Sequence, residues 1–239
     1  MKSRILLFIS VLLFFCGCDS RSNKASNADA SSADWVMTKA LQEKLTADSV
    51  ISILKSGNVN FYSFKLTPKN DSMRIHVTSD SGQYPMAAVL SCLDSRVTAE
   101  SVFDRGIGDL FVARVAGNFA NTDILGSLEY ACKVSGSKVI LVLGHENCGA
   151  IKSAIDNVQL GNITAMLANL KPAVDSTQTT GERNSKNKQF VHDVAVKNIQ
   201  FTIRKIRTDS EILATMEKEG KLKIIGGIYD LATGKITYY

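Results

Sequence analysis

Two short apolar runs, at residues 87–90 and 139–143, most constrain what this chain can fold into. Uninterrupted apolar runs of this length are typical of strands that are buried on both faces of a parallel sheet. The first run leads into residues 92–96, Cys-Leu-Asp-Ser-Arg, and the second into residues 144–149, Gly-His-Glu-Asn-Cys-Gly. Ligands of open parallel sheets bind beyond the carboxyl ends of the strands. We therefore expect these two polar segments to meet at one edge of a sheet.

Such a meeting would bring together two thiols and an imidazole, from Cys92, His145 and Cys148. This donor set suits Zn²⁺, and three protein ligands leave a fourth position open for chemistry. The alternatives are that Cys92 is a buried structural thiol and that His145 is a core histidine. The occurrence of both segments, each directly after a strand, favours a zinc site.

The pattern Cys-x-Asp-x-Arg, followed roughly fifty residues later by His-x-x-Cys-Gly, resembles the signature of the β-class carbonic anhydrases, here a bacterial member. The similarity extends from about Thr46 to the C-terminus. It implies an α/β fold with a largely parallel sheet flanked by helices. It also implies zinc-dependent, reversible hydration of carbon dioxide to bicarbonate and a proton, in a homodimer or a dimer of dimers.

Asp94 and Arg96 are the expected catalytic residues. Zinc makes hydroxide available near neutral pH, and Asp94 is expected to orient it by accepting a hydrogen bond. Arg96 can hold Asp94 by a charge-assisted fork and keep it ionised. If Arg96 released it, Asp94 could become a fourth zinc ligand and close the site. The alternative is that the two residues form only a helix cap and a surface ion pair.

The resemblance further implies substrate contacts at three positions. Gln83 lies nine residues before Cys92, where some members have a Gln that binds substrate oxygen, often across a dimer interface. Phe119 either lines the carbon dioxide pocket or belongs to the core. Gly149 lies beside the metal, where it opens a helix or contacts substrate.

Two further positions bear on regulation. Some bacterial members of the family bind bicarbonate at a second pocket, which uses a Trp and a Gly where this chain has Val89 and Ser91. Val89 lacks the indole, and the side chain of Ser91 occupies the space that a Gly leaves free. We therefore expect an open site, with Asp94 on Arg96, and no regulation by bicarbonate.

The N-terminus resembles a lipoprotein-type signal peptide over residues 1–18. Positive charges precede an apolar stretch at residues 5–15, which is too short for an ordinary membrane-spanning helix. Gly17 precedes Cys18, the expected site of acylation, and residues 19–33 have the composition of a flexible tether. These features predict an exported protein that is anchored to a membrane by its N-terminal lipid, in the periplasm.

Other interpretations of the N-terminus remain open. They are an ordinary secretory signal cut nearby and a cytoplasmic protein with an apolar start. Cys16 fits lipidation less well than Cys18, because the bulky Phe15 precedes it. Residues 34–239 form the predicted enzyme domain. Within it, Cys132 has no obvious cysteine partner and is expected to be a buried free thiol.

The composition of the chain argues against nucleic-acid binding. The chain has 239 residues, 45% of them hydrophobic, and a net charge of +5 without a basic patch interleaved with aromatic residues. Nucleic-acid binding is therefore not expected. Two alternatives to carbonic anhydrase activity remain. One is a hydrolase of carbon disulfide or carbonyl sulfide with the same ligands, and the other is a non-catalytic, membrane-tethered zinc or thiol module.

Strands alternate with helical patterns along the chain, which predicts the α/β class independently of the resemblance. A helix is expected to begin after Thr46 and to end at Gly57. Residues 60–82 and 171–189 are polar and contain helix breakers, and both are expected to be irregular.

Overall fold

The structure, a computed structural model, describes residues 35–239. The predicted signal peptide, the anchor residue Cys18 and the tether lie outside the described residues. Between residues 35 and 239, no helix is both long enough and apolar enough to cross a membrane.

Helices and strands alternate after an N-terminal group of three helices. The helices are α1 (Lys39–Lys44), α2 (Ala47–Tyr62), α3 (Asp71–Ser81), α4 (Ala99–Val102), α5 (Thr122–Glu129), α6 (Gly149–Ile155), α7 (Gly161–Ala168), α8 (Lys171–Ser176), α9 (Lys188–Asp209) and α10 (Glu211–Lys218). The strands are β1 (Ala87–Ser91), β2 (Leu110–Arg114), β3 (Val139–His145), β4 (Lys223–Tyr229) and β5 (Ile236–Tyr238). A π-helical turn, Tyr130–Val134, extends α5.

The five strands form one sheet in the order β2-β1-β3-β4-β5. All neighbouring pairs are parallel except β4 with β5. Ser91, the last residue of β1, lies opposite Leu143 of β3, so the residues that follow both strands share one edge of the sheet. The prediction of an α/β fold with a largely parallel sheet is confirmed.

Each face of the sheet is covered by helices and has its own apolar core. On one face, α9 packs along β3 and β4, and the core there includes both Cys92 and Cys148. On the other face, α2 and α4 cover a core that includes Val89. Both β1 and β3 are buried along their whole length, as their apolar sequences predicted. Cys132 is a buried free thiol in the first core, also as predicted.

Side-chain caps mark the starts of several helices. The side chains of Thr46, Asn121, Asn187 and Ser210 each accept a hydrogen bond from a backbone N–H in the first turn of the helix that follows. Such caps satisfy N–H groups that have no partner within the helix.

The prediction that Gly57 ends α2 is wrong, because the helix continues to Tyr62. Gly57 lies in the middle of α2, where the helix passes close to the backbone of Phe103. A Cβ at this position would lie 1.8 Å from the Phe103 carbonyl oxygen. The glycine therefore permits a close contact and does not stop the helix.

The two segments expected to be irregular also contain helices. Within residues 60–82, α3 is capped by the side chain of Asn70 and is fixed to the domain by the buried side chain of Arg74. Within residues 171–189, α8 has a proline in its first turn. A cap and a buried arginine stabilise α3, whereas α8 packs Ala173 and Val174 into the first core, so tertiary contacts stabilise both helices.

Candidate metal centre

The turn after β1 carries the first group of candidate residues. Cys92 follows the strand directly, and its side chain is buried. The backbone N–H of Arg96 donates to Asp94 Oδ1 at 3.0 Å, and that of Val97 donates to the Asp94 carbonyl at 3.0 Å. These two hydrogen bonds to Asp94 fix the turn and, with it, the position of the Asp94 carboxylate.

The turn after β3 carries the second group. His145 is the last residue of β3, and Cys148 is the N-cap of α6. Asn147 between them has a φ of 53°, a left-handed conformation that asparagine tolerates better than most residues. The Nδ1 of His145 is 2.8 Å from the carbonyl oxygen of Glu146. If Nδ1 donates to that oxygen, Nε2 is left with a free lone pair.

The candidate ligand atoms of Cys92, His145 and Cys148 all lie within 4.8 Å of one another. The two Sγ atoms are 3.9 Å apart. Thiolates at about 2.3 Å from a tetrahedral zinc ion would have sulfurs separated by ~3.8 Å. The Nε2 of His145 is buried without a hydrogen-bond partner among the described residues, which is costly unless a ligand binds there. The three residues therefore fit a zinc ion.

The two thiols differ in their ionisation. The hydrogen bond with Cys148 lowers the pKa of Cys92 to about 4, although burial opposes this shift. The same hydrogen bond, together with burial, raises the pKa of Cys148. A divalent cation deprotonates a coordinating thiol, so a cation beside Cys92 would also ionise Cys148.

Asp94 and Arg96 form a two-pronged ion pair beside this cluster. Arg96 Nε donates to Asp94 Oδ1 at 2.9 Å, and Arg96 Nη2 donates to Oδ2 at 2.7 Å. The Arg96 hydrogen bond holds the pKa of Asp94 well below its usual range, so the carboxylate is ionised. Asp94 Oδ2 lies 3.8 Å from His145 Nε2, which places the carboxylate next to the expected metal position.

Comparisons with known proteins agree with this geometry. Residues 87–236 match the family described as carbonic anhydrase. Carbonic anhydrase 2 of Mycobacterium tuberculosis is 31% identical over 183 residues, which cover 76% of this chain and 87% of that protein. The chain belongs to the carbonic anhydrase family. It is therefore an enzyme, and family membership places it among the lyases.

Solved structures place the fold in the β class of carbonic anhydrases. The β-carbonic anhydrase CcaA superposes with a TM-score of 0.63 at 23% identity, over 80% of this chain and 86% of that chain. Tetrameric β-carbonic anhydrases from the ascomycete Sordaria macrospora give a TM-score of 0.59 at 23% identity, over 80% of this chain and 96% of that chain.

Four residues outside the two motifs support this carbonic anhydrase centre. Gly117 belongs to a segment that resembles the family's turn beside the metal, whereas sequence reasoning gave Asn198 and Thr202 no role in the centre. Arg114, at the end of β2, donates from Nε to the Cys92 carbonyl at 3.0 Å and from Nη2 to the Asp94 carbonyl. The Gly117 N–H lies 3.5 Å from Cys92 Sγ, within hydrogen-bonding distance. Asn198 Nδ2 donates to the Gly117 carbonyl at 2.7 Å, and Thr202 Oγ1, one turn further along α9, donates to the Asn118 carbonyl at 3.3 Å.

The sequence contained one signal for the supporting role of α9. Asn198 and Thr202 lie four residues apart on the apolar face of the predicted helix, and both are buried in the structure. Such polar side chains are expected to have hydrogen-bond partners. The sequence does not say which partners, because Asn198 and Gly117 are far apart along the chain.

The three residues that were predicted to contact substrate lie in three different surroundings. Phe119 is 6% exposed and belongs to the same core as Cys92. Gly149 begins α6 directly after Cys148, and a Cβ there would meet nothing within 4 Å. Gln83 is exposed and precedes the amino end of β1. The five residues of β1 span ~16 Å, so Gln83 does not reach the metal centre of its own subunit.

Proposed function

We propose that this carbonic anhydrase hydrates carbon dioxide reversibly at a zinc ion held by Cys92, His145 and Cys148. The observation that carries the proposal is the buried, unpartnered Nε2 of His145, grouped with two sulfurs that are 3.9 Å apart. A bound zinc ion supplies Lewis acidity, which ionises water near neutral pH.

Asp94 and Arg96 orient the reacting water in this proposal. The ionised carboxylate of Asp94 accepts a hydrogen bond from the water and so directs an oxygen lone pair at carbon dioxide. Arg96 fixes the carboxylate through its two hydrogen bonds and prevents it from turning away. A carbon–oxygen bond forms, the water loses one proton to buffer, and the product is bicarbonate.

Because Asp94 is paired with Arg96, its carboxylate would not serve as a fourth ligand of a bound zinc ion, and water could take that role. This supports an open site, in contrast to a closed state in which Asp94 itself is the fourth ligand. His145 and the two cysteines would hold the ion, while Arg114 and Gly117 hold the Cys92 turn in place.

Stopped-flow hydration of carbon dioxide tests the proposal. The purified protein should hydrate carbon dioxide, lose the activity on treatment with a zinc chelator, and regain it when zinc is added. Bound zinc without hydration would support the non-catalytic zinc module. Turnover of carbon disulfide that is much faster than hydration would support the hydrolase. The names of the relatives favour carbonic anhydrase over both.

We also propose that the enzyme is a homodimer or a dimer of dimers, in which Gln83 contacts the substrate of a second subunit. The exposed position of Gln83 at the far end of β1 supports this proposal. Sedimentation should give an oligomer, and Gln83→Ala should raise KM for carbon dioxide while zinc stays bound. A fully active monomer would exclude the shared site. Phe119 and Gly149 are proposed to border the substrate within one subunit.

For the N-terminus we propose export, acylation of Cys18 and anchoring to a membrane, with the domain in the periplasm. The sequence Gly17-Cys18 after a short apolar stretch supports this. Cys18→Ala should release the protein from membranes, whereas the matched variant Cys16→Ala should stay anchored. If the Cys18 variant remains bound after a high-salt wash, the anchor lies elsewhere.

A further inference from the structure

A polar groove of about 630 Å³ lies between the segment that precedes α3 and the loop that joins α4 to β2. Its lining includes Thr67, Lys69, Ser101 and Arg105, and none of its lining residues belongs to the metal centre. The groove has no part in the proposed hydration reaction.

Arg105 is the unusual residue of this groove. It is only 9% exposed, yet its one hydrogen bond within residues 35–239 runs from Nε to the Phe103 carbonyl, at 3.1 Å. A guanidinium carries five N–H donors. Four of them, on the two terminal nitrogens, therefore have no partner in the described part of the chain. These nitrogens are not fully enclosed by the protein, and they face the groove that Arg105 lines.

The two buried carboxylates near Arg105 already have other partners. The carboxylate of Asp104 is paired with Lys69 at 2.5 Å, and that of Asp109 with Arg74 at 3.2 Å. Arg105 therefore makes no ion pair of its own with either carboxylate. Burial lowers the pKa of Arg105, but a guanidinium keeps its proton in proteins. Its charged terminal nitrogens are therefore available to an anion in the groove.

We propose that this groove is a binding site for a small oxyanion of the inorganic phosphate type. The terminal nitrogens of Arg105 form a planar fork that matches two oxygens of such an anion. Ser101 and Lys69 line the same groove, and the Lys69 ammonium has a third donor beyond its bonds to Asp104 and the Thr67 carbonyl.

The acidic rim of the groove sets limits on this ligand. The exposed side chains of Asp71 and Glu100 also line the groove. Their negative charge opposes anion binding and disfavours large polyanions and anionic membrane surfaces. The site therefore fits a small, free anion that reaches Arg105 past the rim.

Thermal unfolding of the zinc-loaded protein, in increasing inorganic phosphate at constant ionic strength, tests the proposal. Wild type should show a saturable rise in Tm, because a ligand that binds the folded state stabilises it. Arg105→Gln should weaken phosphate binding by about tenfold or more, since a charge-assisted contact is lost. Glu100→Gln should strengthen binding, because it removes a repelling charge. The control Arg204→Gln, at an exposed arginine of α9, should behave as wild type.

The comparison of wild type with Arg105→Gln also distinguishes phosphate bound in the groove from phosphate bound at zinc. Phosphate bound at zinc would stabilise wild type and Arg105→Gln equally, so only their difference reports on the groove. Should Arg105→Gln fail to fold, phosphorus NMR titration of wild type and Glu100→Gln gives the same comparison. The proposal is overturned if wild type shows no saturable response. It is also overturned if Arg105→Gln responds as wild type does, or if Glu100→Gln binds phosphate no more tightly.

Discussion

The two turns that meet at the metal centre differ sharply in exposure. In the turn after β1, the side chain of Arg96 is 60% exposed and that of Asp94 is 16% exposed. In the turn after β3, His145 and Cys148 are each 1% exposed. The first turn thus offers polar groups to water and substrate, while the second only holds ligand atoms. Because Cys92 also lies in the first turn, the contrast is between three buried candidate ligands and the more exposed pair of Asp94 and Arg96.

Helix packing distinguishes the two turns. Both β1 and β3 have a parallel neighbour on each side, but α9 packs along β3. Changes at His145 and Cys148 should therefore remove the metal or destabilise the fold. Changes at Asp94 and Arg96 should reduce activity and leave the metal bound. The predictions below test this contrast, from the largest expected effect to the smallest.

The largest effect is expected for Cys148→Ser in the buried turn. Loss of one of two thiolates should abolish stable zinc binding, and hydration should be lost with it. Zinc content of the purified variant, measured by mass spectrometry, checks this. The matched control is Cys132→Ser, a buried thiol outside the cluster, which should keep its zinc. Full zinc occupancy in Cys148→Ser would remove Cys148 from the ligand set.

In the exposed turn, Arg96→Ala should lower the hydration rate by a factor on the order of a hundred, as for loss of a positioned electrostatic group. Zinc content should be unchanged, because Arg96 is not a ligand. Stopped-flow rates and zinc analysis on the same sample check both statements. A variant with near wild-type hydration would refute the pairing of Asp94 with Arg96 as a catalytic device.

The Arg96→Ala variant should also change the pKa of Asp94. The Arg96 hydrogen bond lowers the pKa of Asp94, so its removal should raise that pKa toward the usual value of about 4. In the wild type, the pair stabilises the folded state fully at pH values above the unfolded-state pKa of Asp94. This stabilisation decreases as pH falls below that pKa, and it is gone once pH has fallen through the lower folded-state pKa. Carbon-13 NMR titration of the Asp94 carboxyl in the zinc-free protein, where no metal can bind the released carboxylate, should show the upward shift in Arg96→Ala.

A smaller effect is expected for Gly144→Ala, within β3. The added Cβ would lie 2.8 Å from Cδ1 of Ile199, and such overpacking costs about 1–3 kcal/mol. Denaturant unfolding should show this loss. The control Gly149→Ala meets nothing within 4 Å, and its free energy of unfolding should be unchanged. Equal stability of the two variants would mean that the buried turn is less tightly packed than its contacts indicate.

The smallest effect is expected from added bicarbonate. Val89 and Ser91 are both fully buried, and the structure has Asp94 on Arg96. A ligand shifts a two-state equilibrium only by its differential affinity for the two states. Initial hydration rates across pH should therefore show bicarbonate acting only as product. Cooperative, non-competitive inhibition at low pH would show that the exposed turn can be driven to a closed state.

The sheet and the grouping of the three ligand residues were predictable from the sequence, because both depend on short local patterns. Buried strands are recognisable as apolar runs, and parallel strands place their carboxyl ends together. Helix α3 was missed because its stability comes from the cap on Asn70 and the buried Arg74, which leave no apolar periodicity.

Contacts between distant segments were not predictable. Asn198 reaches Gly117 across the first core, and Arg105 lies unpaired in its groove because Lys69 and Arg74 already occupy the nearby carboxylates. Each depends on how helices pack onto the sheet, and single residue types do not encode that packing.

The parallel pairing of β1 with β3 also has a consequence for the order of events during folding. His145 and Cys148 are close in sequence, but Cys92 joins them only after the intervening β2 segment has crossed over and β1 has paired with β3. Such non-local pairing is slow to form. An early zinc ion would find only two of its three protein ligands. We therefore expect the complete site to form late in folding, so that metal uptake can serve as a kinetic marker that the sheet has assembled.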